Sequence, residues 1–211
     1  MRLRRIKNIE EKILKYDNII MLEPTKLKGK WHELFGNNNP IYLEIGMGKG
    51  KFITEHAIKN PNINFIGCEL VNSVIYKAAK KINDLDLPNL YLINYDASKL
   101  EEVFDVNEIE KLFLNFSDPW PKTRHEKRRL TSESFLNVYS KFLVKNAEIE
   151  FKTDNRHLFE YSVMKFNELR YDMLELSLDL HSDKEEIIST EYEDKFVGLG
   201  QVIYFVRVRV K

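Results

Sequence analysis

From residue 40 onward, short apolar runs alternate with helical periodicity, and this alternation limits the fold more tightly than any other feature of the chain. Ile41–Ile45, Ile63–Glu69, Leu90–Tyr95, Lys111–Phe116 and Glu148–Thr153 read as buried strands. A Gly-rich turn and a short helix ended by Asn60-Pro61 follow the first. After the second, Val71, Val74, Ile75, Ala78 and Ile82 share one helical face. After the fourth, Thr131 is placed as an N-cap, with Leu130 and Phe135 as a hydrophobic staple and Phe135, Val138, Phe142 and Leu143 lining the helix. Asp154 or Asn155 opens another helix. Such strand–helix repetition predicts an α/β fold with a mostly parallel sheet and helices on both faces. The end differs. Leu174, Leu176, Leu178 and Leu180 alternate with polar residues as in a half-exposed strand, and Val202 to Val210 forms a last strand with Arg207 and Arg209 on one face, predicting an antiparallel finish. His181 to Gly200 shows no periodicity, the mark of a functional or irregular loop. Residues 1–39 read as a basic N-terminal arm and link ahead of a single domain at 40–211.

The first strand runs into Glu44-Ile45-Gly46-Met47-Gly48-Lys49-Gly50. Glycines let the main chain turn sharply and let a ligand approach it closely, and in a doubly wound sheet this turn lies where ligands bind. A dinucleotide fingerprint wants a sixth-position glycine; Lys51 stands there, so an oxidoreductase is the weakest reading. Glu69, ending the second strand, is placed to accept from both ribose hydroxyls of a nucleoside, and Asp96, ending the third, to contact an adenine edge. Glycines and acids together favour a nucleoside cofactor, and they resemble the class I S-adenosylmethionine-dependent methyltransferases.

Asp118 ends the fourth strand, beside the same crevice, in Phe116-Ser117-Asp118-Pro119-Trp120-Pro121-Lys122. The prolines restrict their predecessors, so Asp118 and Trp120 are both expected to be extended. A turn-forming Asp118 and a core Trp120 are the bland alternative. The net charge of the chain is zero, yet residues 122–129 hold five cations against one carboxylate, and residues 1–15 hold six against two. Phosphate binding depends on local potential, so these concentrations fit a polyanion despite the balanced total. The single cysteine, Cys68, offers no disulfide and suits a reducing compartment. No run approaches the roughly 20 apolar residues that span a bilayer, and no secretory signal is evident, so the expected location is cytoplasmic with no membrane partner. His125 has no Cys or His cluster spaced for a metal, so no metal is expected.

From Phe116 through Leu130 the chain resembles the signature of the tRNA (guanine-N7-)-methyltransferases, with supporting matches at Lys152-Thr153-Asp154 and at Thr190–Phe196. The likeness runs from about Ile41 to the C-terminus. It implies a Rossmann-like class I methyltransferase with a seven-stranded, mostly parallel sheet and an antiparallel C-terminal strand. It implies S-adenosyl-L-methionine as methyl donor, S-adenosyl-L-homocysteine as product, and tRNA as substrate, modified at a variable-loop guanine. By the same resemblance, Glu44, Gly46, Gly48, Gly50, Glu69, Asp96 and Asp118 contact the donor or the reacting centre, with Asp118 catalytic. Lys122, Asp154, Thr190, Glu191, Tyr192 and Glu193 bind the guanosine, and Arg124, His125, Glu126, Lys127, Arg128 and Arg129 hold RNA. The protein is expected to be a monomer or a homodimer. Two rivals stay open: methylation of an exocyclic base amine gripped by Asp118-Pro119, and a non-catalytic RNA-binding module on the same fold.

Overall fold

The computed structural model describes residues 6–211. Arg2, Arg4 and Arg5 of the expected basic arm lie outside the described residues. In chain order the elements are α1 (Ile9–Ile13), β1 (Ile20–Met21), α2 (Trp31–Phe35), β2 (Ile41–Ile45), α3 (Lys51–Lys59), β3 (Asn64–Cys68), α4 (Asn72–Ile82), β4 (Leu90–Ile93), β5 (Ile109–Asn115), α5 (Glu133–Tyr139), β6 (Leu143–Thr153), α6 (Arg156–Glu168), β7 (Asp172–Ser177), α7 (Leu180–Asp183), α8 (Glu191–Val197) and β8 (Tyr204–Arg209).

The strands form one sheet in the order β1-β4-β3-β2-β5-β6-β8-β7. It is parallel from β1 to β6 and antiparallel where β8 meets β6 and β7. The chain winds outward from β2 to β4, then returns to place β5 on the other side of β2. The strand order therefore reverses between β2 and β5, the place where open α/β sheets bind ligands.

Alternation within the strands explains why they read as unbroken apolar runs. Leu43, Leu112 and Leu114 enter a core with Trp31, Leu136, Tyr139 and Phe166 on one face. Phe65 and Phe113 enter a second core with Phe52, Ile75, Ala78 and Ile82 on the other. Both faces are covered, so both sets of positions are apolar.

Five expectations meet a different structure. The sheet has an eighth strand, because Ile20 and Met21 pair with Leu92 and Ile93 at its edge. Within the stretch read as arm and link, Trp31 is fully buried and donates its indole N–H to Val103 O at 3.1 Å, while the Glu108 carboxylate collects the amides of Gly29, Trp31 and Asp105. Ser132, not Thr131, occupies the N-cap of α5. Thr131 points inward, its hydroxyl 2.7 Å from that of Ser162, so it ties the segment before α5 to α6 instead of capping α5. The helix stops at Tyr139; Phe142 lies beyond it and Leu143 opens β6. Finally, β7 ends at Ser177, leaving Leu178 exposed, and Leu180 is buried in α7, so His181 to Gly200 contains most of α7 and all of α8.

Candidate active site

The glycine turn is tied to the next strand through the main chain. Gly46 and Met47 both donate to Cys68 O, at 2.8 and 3.1 Å. Met47 then folds over Gly67, where a Cβ would lie 2.4 Å from its Sδ, so a side chain there would have to displace the Met47 thioether. Gly46 and Gly48 have φ of 76° and 60°, and the space where their Cβ atoms would stand is open. Gly50 has a different part. Its Cβ position faces Ile82 and Ala78 of α4, so it permits helix packing instead of ligand approach.

Glu69 accepts the amides of Gly48 at 3.1 Å and Val71 at 2.9 Å, which fixes its carboxylate beside the turn. Burial raises its pKa from the ordinary carboxylate value. Asp96 accepts the amide and hydroxyl of Ser98 at 2.9 and 2.8 Å. Gly46, Glu69, Asp96, Asp118 and Trp120 all line one cavity of about 810 Å³ at the strand ends. Glu44 lies beneath it, only 1% exposed, and burial pushes its carboxyl up to about 7. Asn115 donates to its Oε1 at 2.9 Å. Among the described residues, Glu44 Oε2, Asn115 Oδ1 and Ser117 Oγ are buried without a hydrogen-bond partner. Unpaired buried polar atoms are costly unless something satisfies them, and Asn115 and Ser117 also line the cavity.

The acid–proline turn departs from expectation at Trp120. Its φ is 39°, left-handed and not extended, and Phe116 is left-handed too at 51°. A side chain from outside the turn binds the carbonyls on either side of this strained peptide. Arg129 donates from Nε to Pro119 O and Trp120 O at 3.2 and 3.3 Å, and from Nη2 to Trp120 O at 3.1 Å. Arg128 lies over the Trp120 ring, 4.8 Å from its centroid, and His125 meets the ring edge-on at 5.6 Å. Thr123–Arg128 forms a 3-10 turn that leaves Lys122, Arg124, Lys127 and Arg128 exposed.

The Thr190–Glu193 segment starts α8, with a reciprocal capping box between Thr190 and Glu193. Glu193 does not face a ligand. It is fully buried, within 3.1 Å of Lys152 Nζ and 2.9 Å of His181 Nε2. The sequence places it among the guanosine-binding residues; here its carboxylate has no exposed surface and is paired with the Lys152 ammonium instead. Glu191 pairs with Lys81 at 3.1 Å, and Asp194 with Lys51 at 2.6 Å. Tyr192 stays exposed, donating to Asp154 Oδ2 at 3.0 Å, with its ring 5.1 Å from that of Phe116. Asp154 and Tyr192 thus stand near the end of β5, through Phe116.

Sequence reasoning missed Asn115, Arg129 and Lys152 in these parts. Asn115 carried a usable signal: a polar residue ending an apolar strand beside the glycine turn. Among the described residues no His, Cys, Asp and Glu cluster suits a metal, and no helix is long and apolar enough to cross a membrane.

Residues 38–206 match a family model described as "Putative methyltransferase". A protein of Geobacillus sp. (strain WCH70), named tRNA (guanine-N(7)-)-methyltransferase, is 52% identical over 210 residues, covering 99% of this chain and 96% of that one. One of the same name from Streptococcus mutans is 50% identical, covering 99% and 100%. Among solved structures, the 16S rRNA methyltransferase KamB superposes with a TM-score of 0.66 at 13% identity, covering 87% of this chain and 93% of that one.

Proposed function

This chain belongs to the tRNA (guanine-N(7)-)-methyltransferase family, and from that premise we propose that it transfers the methyl group of S-adenosylmethionine to N7 of a guanine in the variable loop of tRNA. One observation carries the reading at the site: a single cavity joins the acids at the ends of β3 and β4 to Asp118 and the exposed cations beyond it. Two features fit this donor. Open space over Gly46 and Gly48 admits a ligand against the main chain. The unpaired acceptors Glu44 Oε2 and Asn115 Oδ1 suit the ammonium of an amino-acid moiety. Glu69 would hold the ribose hydroxyls and Asp96 the adenine edge. When bound, the donor supplies a sulfonium-activated methyl group open to displacement by a lone pair.

Guanine N7 has such a lone pair and carries no proton, so the reaction needs no base to deprotonate it. Asp118 therefore holds the base in line and offsets the positive charge that arrives on the ring. Positioning contributes up to roughly 7–11 kcal/mol in favourable intramolecular cases. A carboxylate about 4 Å away adds at most about 4 kcal/mol at an effective dielectric near 20. Positioning is the larger effect. Asp154 would accept from the N1–H and exocyclic amine, a donor pattern adenine lacks, with Tyr192 and Phe116 beside it. Lys122, Arg124, Lys127 and Arg128 would meet phosphates, and His125 and Glu126 shape the turn that presents them. N7 faces a groove of A-form RNA that side chains reach poorly, so the target must be unpaired or withdrawn.

Incubation with labelled S-adenosylmethionine and unmodified tRNA, followed by mapping, tests this. N7-methylguanine supports chain cleavage at the labelled nucleotide. Label on an exocyclic amine, or none, overturns the reading.

A further inference from the structure

We infer that Arg129, although it closes the basic run, is a positioning residue for Asp118 and contributes no phosphate contact. The inference rests on the proposed reaction for its catalytic consequence and on geometry alone for its premise. Arg129 is half-buried. Its guanidinium donates three hydrogen bonds to the carbonyls of Pro119 and Trp120, the two residues after Asp118. Its plane is covered by the Tyr161 ring of α6, 4.3 Å from the guanidinium carbon to the ring centroid. Its own main chain is fixed at the start of α5, where Arg129 O accepts from Ser132 N at 2.9 Å. The Nε–Nη2 edge, the one that would grip a phosphate bidentately, is already committed to these carbonyls, and Arg129 is half-buried, whereas Arg124, Lys127 and Arg128 are exposed.

The second observation is the strained conformation those bonds hold. Trp120 is left-handed, at φ 39°, directly before Pro121. Such a residue persists only where its surroundings over-determine it, and the residue before a proline prefers the extended region. Without the fork, the Trp120 peptide relaxes toward that region and carries Asp118 away from the cavity wall. A lysine keeps the charge but not the bidentate plane. The two roles therefore predict opposite behaviour for Arg129→Lys.

The test compares wild type, Arg129→Lys and Arg129→Ala by three measurements. Single-turnover methyl transfer at saturating tRNA should fall roughly 100-fold in both variants, the scale of a 1 Å misplacement. The slope of log tRNA affinity against log salt should not change. Acrylamide quenching of tryptophan emission should rise in both variants, and it reports on Trp120, because the chain has two tryptophans and Trp31 is fully buried. A slope shallower by about 0.7–0.9 in Arg129→Ala, with Arg129→Lys restoring it and the rate, would overturn the inference by showing a phosphate contact. So would unchanged quenching in Arg129→Lys. If wild-type protein methylates no tRNA, the functional reading fails, while quenching and salt slope still decide what Arg129 does. Should Arg129→Ala fail to fold, Arg129→Lys carries the comparison.

Discussion

The two sides of the cavity are held together in opposite ways. On the β2–β4 side, main-chain amides hold the acidic side chains: Gly48 and Val71 donate to Glu69, and Ser98 donates to Asp96. Every one of those donors lies in the turn that carries the acid or the one beside it. On the β5–β6 side, side chains hold main chain and whole segments: Arg129 fixes the acid–proline turn, and Lys152 with Glu193 fixes the start of α8. The first side is built from local geometry and survives if the strands form. The second depends on single charged groups brought from a distance, so point substitutions should damage it more.

The sharpest way to break that contrast is Lys152→Met. Lys152 is 4% exposed and Glu193 fully buried, and Lys152 also donates to Ile188 O at 2.9 Å. Removing the cation leaves the buried carboxylate beside the His181 ring without its ammonium partner, and breaking a buried pair costs about 3–5 kcal/mol. Urea unfolding should show that loss. The surface pair of Lys81 with Glu191 should contribute at most about 1 kcal/mol to the same measurement. Equal losses for Lys152→Met and Lys81→Ala would erase the distinction between anchor and decoration.

Next is Glu44, the exception on the donor side, since its partner is a side chain and one oxygen is unpaired. Burial first, and then the nearby Glu191 and Glu69, raise its carboxyl to about 7, against the opposing effects of Asn115 and Lys152. Below about pH 7 the folded protein therefore favours the neutral form. Its stabilising contribution is complete below the ordinary carboxylate value near 4.5 and is lost as pH rises through about 7. The full difference is on the order of 3 kcal/mol. Thermal melts of wild type should fall across that window relative to Glu44→Gln, which still accepts from Asn115. Parallel melts for the two proteins would remove Glu44 from the account.

The same contrast explains what could be read from the sequence. Strands β2 to β6 and the placing of Glu69, Asp96 and Asp118 at or just past strand ends are legible because each rests on local pattern: an apolar run, a glycine, an acid after a strand. Arg129 and Glu193 are not, since their roles depend on partners elsewhere in the chain. A basic run reads as phosphate-binding until one arginine is seen turned back onto two carbonyls. An acid in a substrate motif reads as a ligand until it is found beside Lys152. The Trp120 conformation is hidden for the same reason, because the proline rule describes local preference and not the hydrogen bonds that Arg129 makes to this turn. The two-residue β1 is too short for any periodicity to reveal.

Asp118→Ala should lower single-turnover methyl transfer by roughly 100-fold, equivalent to about 2.7 kcal/mol. Calorimetric affinity for S-adenosylmethionine should change little, because the β2–β4 side remains complete. Glu69→Ala should show the reverse emphasis, weakening donor binding first. If Asp118→Ala binds the donor normally and keeps near-wild-type turnover, Asp118 is not at the reacting centre.

The smallest effect separates the exposed cations from one another. With Arg129 engaged internally, four cations of residues 122–129 are left to meet RNA: Lys122, Arg124, Lys127 and Arg128. If all four contact phosphates, log affinity should fall with log salt at a slope near −3, using about 0.7–0.9 per contact. Arg124→Ala should make that slope shallower by one such step without altering discrimination between guanine and adenine at the target, because phosphate contacts position and do not specify. Arg128→Ala should do both less cleanly, since its guanidinium also lies over Trp120. Filter binding from low to moderate salt distinguishes them: a slope unmoved by Arg124→Ala would place the polyanion somewhere other than this turn, while the chemistry at Asp118 could still stand.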